Sequence, residues 1–319
     1  MPTIDDIIKI SGVSRSTVNR FLAGQTVRGE NAKKIKSAMK ELNYRPDKLV
    51  EKRNCTIEIL GASGQKSLSK FQGYAEMMVG MIKTLEKGGA TVQVHSGSSK
   101  YIPRADGVIA YGLAADVEDE IIETLKRRNI PLVFAYREID TPGVSYVTCD
   151  NYRAAYEMTE MLIKKGHKRI AVCTSAPKKR NIPEKLQGFK DCMAAHNLQV
   201  PSYLVYEGSG ADDFKAWIND ILDNKDYFTA FFGLTDAVAF RFMEEAQQRG
   251  FKIPEDFAVV GMDGTAEAFY SRPKLTSVAI PFNEIGRKSA EAIFELIDNP
   301  DTVCIRKYLK YEISCRQSD

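Results

Sequence analysis

The stretch Gly12-Val13-Ser14-Arg15-Ser16-Thr17-Val18-Asn19-Arg20-Phe21-Leu22 has the pattern of a tight turn followed by a short amphipathic helix. Val18, Phe21 and Leu22 stand at i, i+3 and i+4 and make one apolar face. Ser16, Asn19 and Arg20 point the other way, with Arg15 near the helix start. Ser14 is placed to cap the helix, its hydroxyl accepting a bond from a free amide of the first turn. The stretch therefore reads as the turn and second helix of a helix-turn-helix. Its polar face suits a DNA major groove, because Arg bonds guanine O6 and N7 together and Asn does the same with adenine. An ordinary solvated helix face is the alternative reading, since short patterns of this kind recur by chance.

The flanking residues favour the first reading. Thr3 is a candidate N-cap for a helix running to about Ser11, with Ile4, Ile7 and Ile8 inward. A third helix is expected from about Glu30 to Leu42, with Ile35, Met39 and Leu42 inward and Lys33, Lys34, Lys36 and Lys40 outward. Residues 1–53 hold 12 Lys and Arg against 6 Asp and Glu, a net of +6, while the remainder holds 33 against 36, a net of −3. A basic head on a slightly acidic body is the asymmetry of a chain whose head alone meets a polyanion.

A length of 319 residues suits two or three domains. The six cysteines, Cys55, Cys149, Cys173, Cys192, Cys304 and Cys315, are scattered, with no CxxC and no His cluster, so neither a zinc site nor a disulfide framework is indicated. No metal and no cofactor are expected. The first residues lack the basic and apolar segments of a secretion signal, and no apolar run approaches the roughly 20 residues of a membrane span. The expectation is a cytoplasmic, reduced protein with no membrane partner.

From residue 56 onward the chain alternates short apolar runs with helical patterns. Strands are expected at Thr56–Leu60, Thr91–His95, Gly107–Ala110, Leu132–Ala135, Tyr146–Thr148, Arg169–Cys173, Tyr203–Tyr206, Ala230–Phe232, Ala258–Gly261 and Ser277–Ala279. Helical patterns lie between many of them, among them Tyr74–Lys87, Val117–Arg128, Tyr152–Lys165, Glu184–His196, Asp236–Arg249 and Phe282–Asp298. This rhythm predicts an α/β fold with parallel sheets covered on both faces. No GxGxxG and no P-loop is present, and none of the three histidines sits in a nucleophile pattern, so nothing argues for an enzyme.

The head resembles that of the lactose/galactose repressor family (LacI/GalR) of bacterial transcriptional regulators. The likeness rests on Thr3-Ile4-Asp5-Asp6-Ile7, on Gly12 to Arg20, and on Met39-Lys40-Glu41-Leu42-Asn43-Tyr44-Arg45-Pro46. It continues through Ala105-Asp106-Gly107-Val108-Ile109, Gly166-His167-Lys168-Arg169-Ile170-Ala171, Lys185-Leu186-Gln187-Gly188-Phe189 and Gly250 to Asp263, as far as Ser318. The resemblance implies a three-helix head at 1–45, a hinge at 46–55 and a two-lobed body like a periplasmic binding protein at 56–319. Its N-lobe would comprise 56–166 and 282–309 and its C-lobe 167–278 and 310–319, with crossings near 166–169, 278–282 and 308–311.

The resemblance further implies that Arg15, Ser16 and Arg20 read bases and that Thr17 and Asn19 mostly contact phosphate. Thr3 and Ser14 join them as candidate DNA contacts. Arg28 stands where the family has a Ser or Thr that caps the third helix. Arg53 occupies the hinge position where the family wedges a Leu into the minor groove. Leu49 or Val50 in a shifted register, Arg53 in a narrow groove, or a plain solvated linker are the open readings.

Mapped by motif, the effector cleft would be lined by Ser63, Asp150, Lys185, Thr235, Asp236, Asp263 and Phe282. Lys185 replaces the family's Arg fork with a point charge. With the basic run Pro177-Lys178-Lys179-Arg180 it suggests an acidic or phosphorylated sugar, against a merely solvated charge run. Asp236 has a second reading, as a cap of the helix that follows it.

The family's helix between the second and third strands is missing, only Ser96 to Arg104 remaining, which would expose a sheet edge or rearrange the dimer. A homodimer on a double-stranded, pseudo-palindromic operator is still expected, with no tetramerising tail after an Arg316-Gln317-Ser318 strand. The whole reads as a repressor of carbohydrate-utilisation genes with a small sugar effector. The alternatives are a sugar-binding sensor or transport protein with a vestigial head, and a DNA regulator answering to a corepressor or protein partner.

Overall fold

The computed structural model describes residues 3–22, 27–42, 44, 55–61, 72–96, 103–113, 115–174, 181–208 and 211–319. The hinge candidates Leu49, Val50 and Arg53, the cleft candidate Ser63 and the basic run Pro177 to Arg180 lie outside the described residues.

In the head, helix α1 spans Ile4–Ser11, α2 Arg15–Leu22 and α3 Gly29–Glu41. α1 starts on a reciprocal capping box. The Thr3 hydroxyl accepts from the Asp6 amide at 3.4 Å, and the Asp6 carboxylate accepts from the Thr3 amide at 2.7 Å. Such caps contribute about 0.5–2 kcal/mol. α1 stops at Gly12, whose amide donates to Ile8 O at 2.9 Å and whose φ of 65° a side chain would strain. The core is Ile7, Val13, Val18, Phe21, Leu22, Ile35 and Ala38, with Ile4, Ile8, Met39, Leu42 and Tyr44 packed around it. Arg28 precedes α3 without a side-chain capping bond, as expected where a long side chain replaces a short hydroxyl.

The body begins with β1 (Thr56–Gly61), α4 (Gln72–Lys87), β2 (Thr91–Ser96), β3 (Gly107–Ala110), α5 (Ala115–Arg127), β4 (Leu132–Ala135) and β5 (Ser145–Cys149). It continues through α6 (Asn151–Lys164), β6 (Ile170–Cys173), α7 (Ile182–Ala195), β7 (Val205–Tyr206), α8 (Ala211–Asp223), β8 (Ala230–Gly233) and α9 (Asp236–Gln248). β9 (Ala258–Asp263), α10 (Ala266–Tyr270), β10 (Thr276–Ala279), α11 (Phe282–Asp298), β11 (Arg306–Leu309) and β12 (Glu312–Ser314) complete it.

Among the described residues these strands form two six-stranded sheets, ordered β11-β5-β4-β3-β1-β2 and β12-β10-β9-β8-β6-β7. β1/β3, β3/β4, β4/β5 and β11/β5 pair in parallel in the first; in the second only β10/β12 is antiparallel among the registered pairs. The runs Gly107–Ala110 and Ile170–Cys173 are wholly buried, as strands covered on both faces must be.

Two expectations are corrected. The first passage between lobes falls at Asp150, not at 166–169. Helix α6 packs on α7 of the second lobe: Tyr152 donates to Asp191 at 3.0 Å, and Gly188 lets α7 approach the Tyr152 carbonyl. Lys185 of α7 in turn bonds the Leu234 carbonyl just beyond β8. The N-lobe segment therefore ends near 149, and α6 belongs with the C-lobe. Secondly, Arg316-Gln317-Ser318 is not a strand; the last strand is β12. Ser318 is fully buried, its hydroxyl accepting from the Thr276 amide at 2.9 Å and donating to the Val259 carbonyl. That anchoring replaces a ladder. The other passages lie between β10 and α11 and between β11 and β12.

β2 and β3 are not neighbours, since β1 lies between them and β2 is the outermost strand of its sheet. Residues 103–106 of their connection contain no helix, and Val94 on β2 is half exposed.

Candidate DNA-reading face and effector cleft

On the head, Val18, Phe21 and Leu22 seat α2 in the core, which turns Arg15, Ser16, Asn19 and Arg20 to solvent. The Ser14 hydroxyl lies 2.9 Å from that of Thr17 and 3.2 Å from that of Ser16. Its partners are thus side-chain hydroxyls and not the backbone amide expected from its capping position. Thr3 keeps to α1, its hydroxyl donating to Asp6 at 2.8 Å. Arg15 reaches back from α2 to α1, where its Nη2 donates to Asp5 Oδ1.

In the body, the described cleft candidates other than Lys185 lie at or just after the carboxyl ends of β5, β8, β9 and β10, the usual ligand position of such sheets. Lys185 is buried, and its Nζ donates to Leu234 O at 3.0 Å and to Asp263 Oδ1 at 3.3 Å. Asp263 terminates β9 with a φ of 133°, a backbone conformation that side chains rarely adopt and that recurs at functional sites. Burial pushes its carboxyl up to about 7, opposed by the Lys185 ammonium and reinforced by the Asp236 charge. Lys185 thus already has the Asp263 carboxyl as a partner.

Asp236 is fully buried at the start of α9. The cap of that helix is Thr235, which accepts from the Val238 amide at 3.4 Å. Asp236 Oδ2 accepts from the Thr265 amide at 2.7 Å and hydroxyl at 3.0 Å, and Oδ1 from the Ser277 hydroxyl. Burial still raises its pKa. Its oxygens therefore tie β10 and the turn after β9 to α9. Asp150, exposed at the lobe passage, caps α6 by accepting from the Arg153 amide at 2.7 Å. Phe282 begins α11, and Tyr136 meets its ring edge-on at 4.9 Å.

The head matches the description "Bacterial regulatory proteins, lacI family" over residues 3–47, and residues 159–318 match "Periplasmic binding protein-like domain". The chain belongs to the lacI family of bacterial regulatory proteins. Among relatives of this lacI-family chain, the HTH-type transcriptional regulator CelR of Thermobifida fusca is 28% identical over 99% of this chain and 98% of that protein. Catabolite control protein A of Priestia megaterium is 27% identical over the same shares. A solved CelR–cellobiose complex superposes with a TM-score of 0.74 at 27% identity, covering 100% of both chains. The lac repressor dimer bound to operator and an anti-inducer gives 0.72 at 20% identity over 99% of this chain and 98% of that one, a likeness of fold. No described helix is long and apolar enough to cross a membrane.

Within this lacI-family body, Lys185, Asp263 and Asp236 form one buried group, while Asp150 stands at the lobe passage and Thr235 serves as a helix cap. Motif reading missed Tyr136 and Asn151. Tyr136 is buried with φ 58°, and its hydroxyl donates to Asn151 Oδ1 at 3.3 Å. Burial, with Asp263 nearby, raises the Tyr136 pKa well above that of a free phenol, so the ring stays neutral and keeps its donor. It passes from the end of β4 to the first residue of α6, and so joins the lobes. One signal was available: Tyr136 is the first residue past a strand, where ligands of open α/β sheets sit.

Proposed function

We propose that the chain is a repressor of carbohydrate-utilisation genes that binds a pseudo-palindromic operator as a dimer and answers to a neutral saccharide held between its lobes. The observation that carries this reading is the pairing of an outward Arg/Ser/Asn face on α2 with a buried Lys185–Asp263 pair at the carboxyl ends of the strands. Carboxylates, amides and the Phe282 ring would suit sugar hydroxyls and an apolar sugar face. Since Lys185 is already paired, a neutral sugar, such as the cellobiose seen on CelR, fits better than a phosphorylated one. Ligand would act by favouring one lobe arrangement, a coupling typically of ~1–3 kcal/mol. The site is assigned no catalytic role, and the protein is placed in the cytoplasm with its DNA.

Arg20→Ala tests the DNA half of this reading. Loss of a bidentate base contact is expected to weaken operator binding by roughly 10- to 100-fold and to flatten base preference at one position. Salt-sensitive binding to unrelated DNA should persist. Electrophoretic mobility shifts over a set of operator variants would show this; an unchanged preference at every position would sink the assignment of α2 as reader.

The second copy is proposed to dock on Phe269 and Tyr270, which are 52% and 73% exposed on α10 with their rings 5.4 Å apart. Lys274 lies over the Phe269 ring at 4.1 Å. Aromatics so exposed are typical of interfaces. Sedimentation velocity on Tyr270→Asp should find monomers at micromolar concentration, where the unaltered chain is dimeric. A variant that remains dimeric would place the interface elsewhere.

A further inference from the structure

The head carries two adjacent aspartates with separate tasks. Asp6 closes the capping box with Thr3. Asp5, one residue earlier, accepts from Arg15 Nη2, linking the first turn of α1 to the first residue of α2. An isolated exposed ion pair contributes little to stability. A carboxylate on a surface facing DNA also repels phosphate and so lowers general attraction. The pair therefore has little to offer the free head.

What it does offer is geometry. Nη2 carries two hydrogens. One directed at Asp5 leaves the other, together with one on Nη1, to meet guanine O6 and N7 in a single plane. The arginine side chain is long and rotamer-rich, and holding it before contact removes part of the ordering cost of binding. Asp5 is itself fixed, because it sits on a helix whose start is locked by the neighbouring capping box.

We infer that Asp5 is a specificity-determining residue of the operator-reading surface: it positions the Arg15 guanidinium for a guanine and sharpens discrimination against the other bases. This rests on the reading of α2 as the DNA-facing helix. It assigns to Asp5 a role through Arg15 and no direct contact of its own.

The test uses the full-length protein and an operator series in which each position carries all four bases in turn, with binding measured by fluorescence anisotropy. Arg15→Ala locates the position concerned, where the unaltered protein should prefer guanine by about tenfold or more. Asp5→Asn, nearly isosteric and leaving Asp6 and Thr3 in place, should lower that preference at least fivefold while leaving preferences elsewhere intact. The same variant should bind unrelated DNA more tightly, having lost a negative charge. A merely structural Asp5 would lower binding to every sequence alike, and that outcome, or an unchanged guanine preference in Asp5→Asn, overturns the proposal. If Arg15→Ala shifts no base preference at all, the proposal also falls, but together with Arg15 as a reader. Circular-dichroism melting of both variants checks that the helices persist.

Discussion

Lys185→Met is expected to destabilise the body by about 2 to 2.5 kcal/mol at pH 8 and by about 1 kcal/mol at pH 5.5, because removing one partner strands a buried charge that a parental carboxyl titrating at about 7 exposes only above that pH. Asp263 is already pushed up to about 7 by burial with the Lys185 ammonium beside it. A carboxyl whose folded pKa lies above its unfolded value, 3.8 here, takes up a proton on folding. Stability therefore falls as pH rises through the window from about 4 to about 7. Without Lys185 the folded pKa climbs further, so the window extends upward. Variant and parent should lie close together where Asp263 is neutral in both, and separate as the pH passes 7. The lost bond to the Leu234 carbonyl adds a pH-independent cost of about 1 kcal/mol. Urea unfolding at the two pH values measures both parts. An equal loss at each pH would mean that the carboxyl–ammonium contact contributes nothing.

Gly286→Val should cost about 3 kcal/mol or more, at the upper end for overpacked cores. A Cβ at Gly286 would lie 2.0 Å from the Met77 carbonyl oxygen, and one at Gly80 would lie 2.1 Å from that of Asn283. Helices α4 and α11 thus meet backbone to backbone, and no rotamer change relieves the clash. Moving them apart also displaces Phe282 at the start of α11, so saccharide affinity should fall along with stability. Thermal denaturation and isothermal titration would register the two effects. A variant with parental melting temperature would contradict the close helix approach.

Much of this was legible in the sequence because strand runs and helix stripes are local. Gly107–Ala110 and Leu132–Ala135 are strands with the bounds that apolar patterning gives. The stripe on Tyr152–Lys165 announced a helix, but periodicity tells which face is buried and not which lobe buries it. The first lobe passage therefore lies about 16 residues before the position the stripe suggests. Asp236 shows the same limit at the site. Its carboxylate in a cleft motif suggests a ligand contact, yet its partners Thr265 and Ser277 come from 29 and 41 residues further along the chain. Tyr136 belongs to no motif, and its importance follows from topology, which places the end of β4 beside α6. In the head, the Asp5–Arg15 contact joins residues ten apart on different helices, a distance no helical periodicity encodes.

The strand order has a consequence for biosynthesis. One edge strand of each sheet, β11 in the first and β12 in the second, is contributed by residues 306–314. Neither lobe has its full complement of strands until nearly the whole chain has left the ribosome, although most of the first lobe is translated before residue 150. The three-helix head draws its core from residues 4–44 alone. During translation, at roughly 5–20 residues per second, the nascent protein therefore holds a formed DNA-reading head for some time before it has a finished body to govern it.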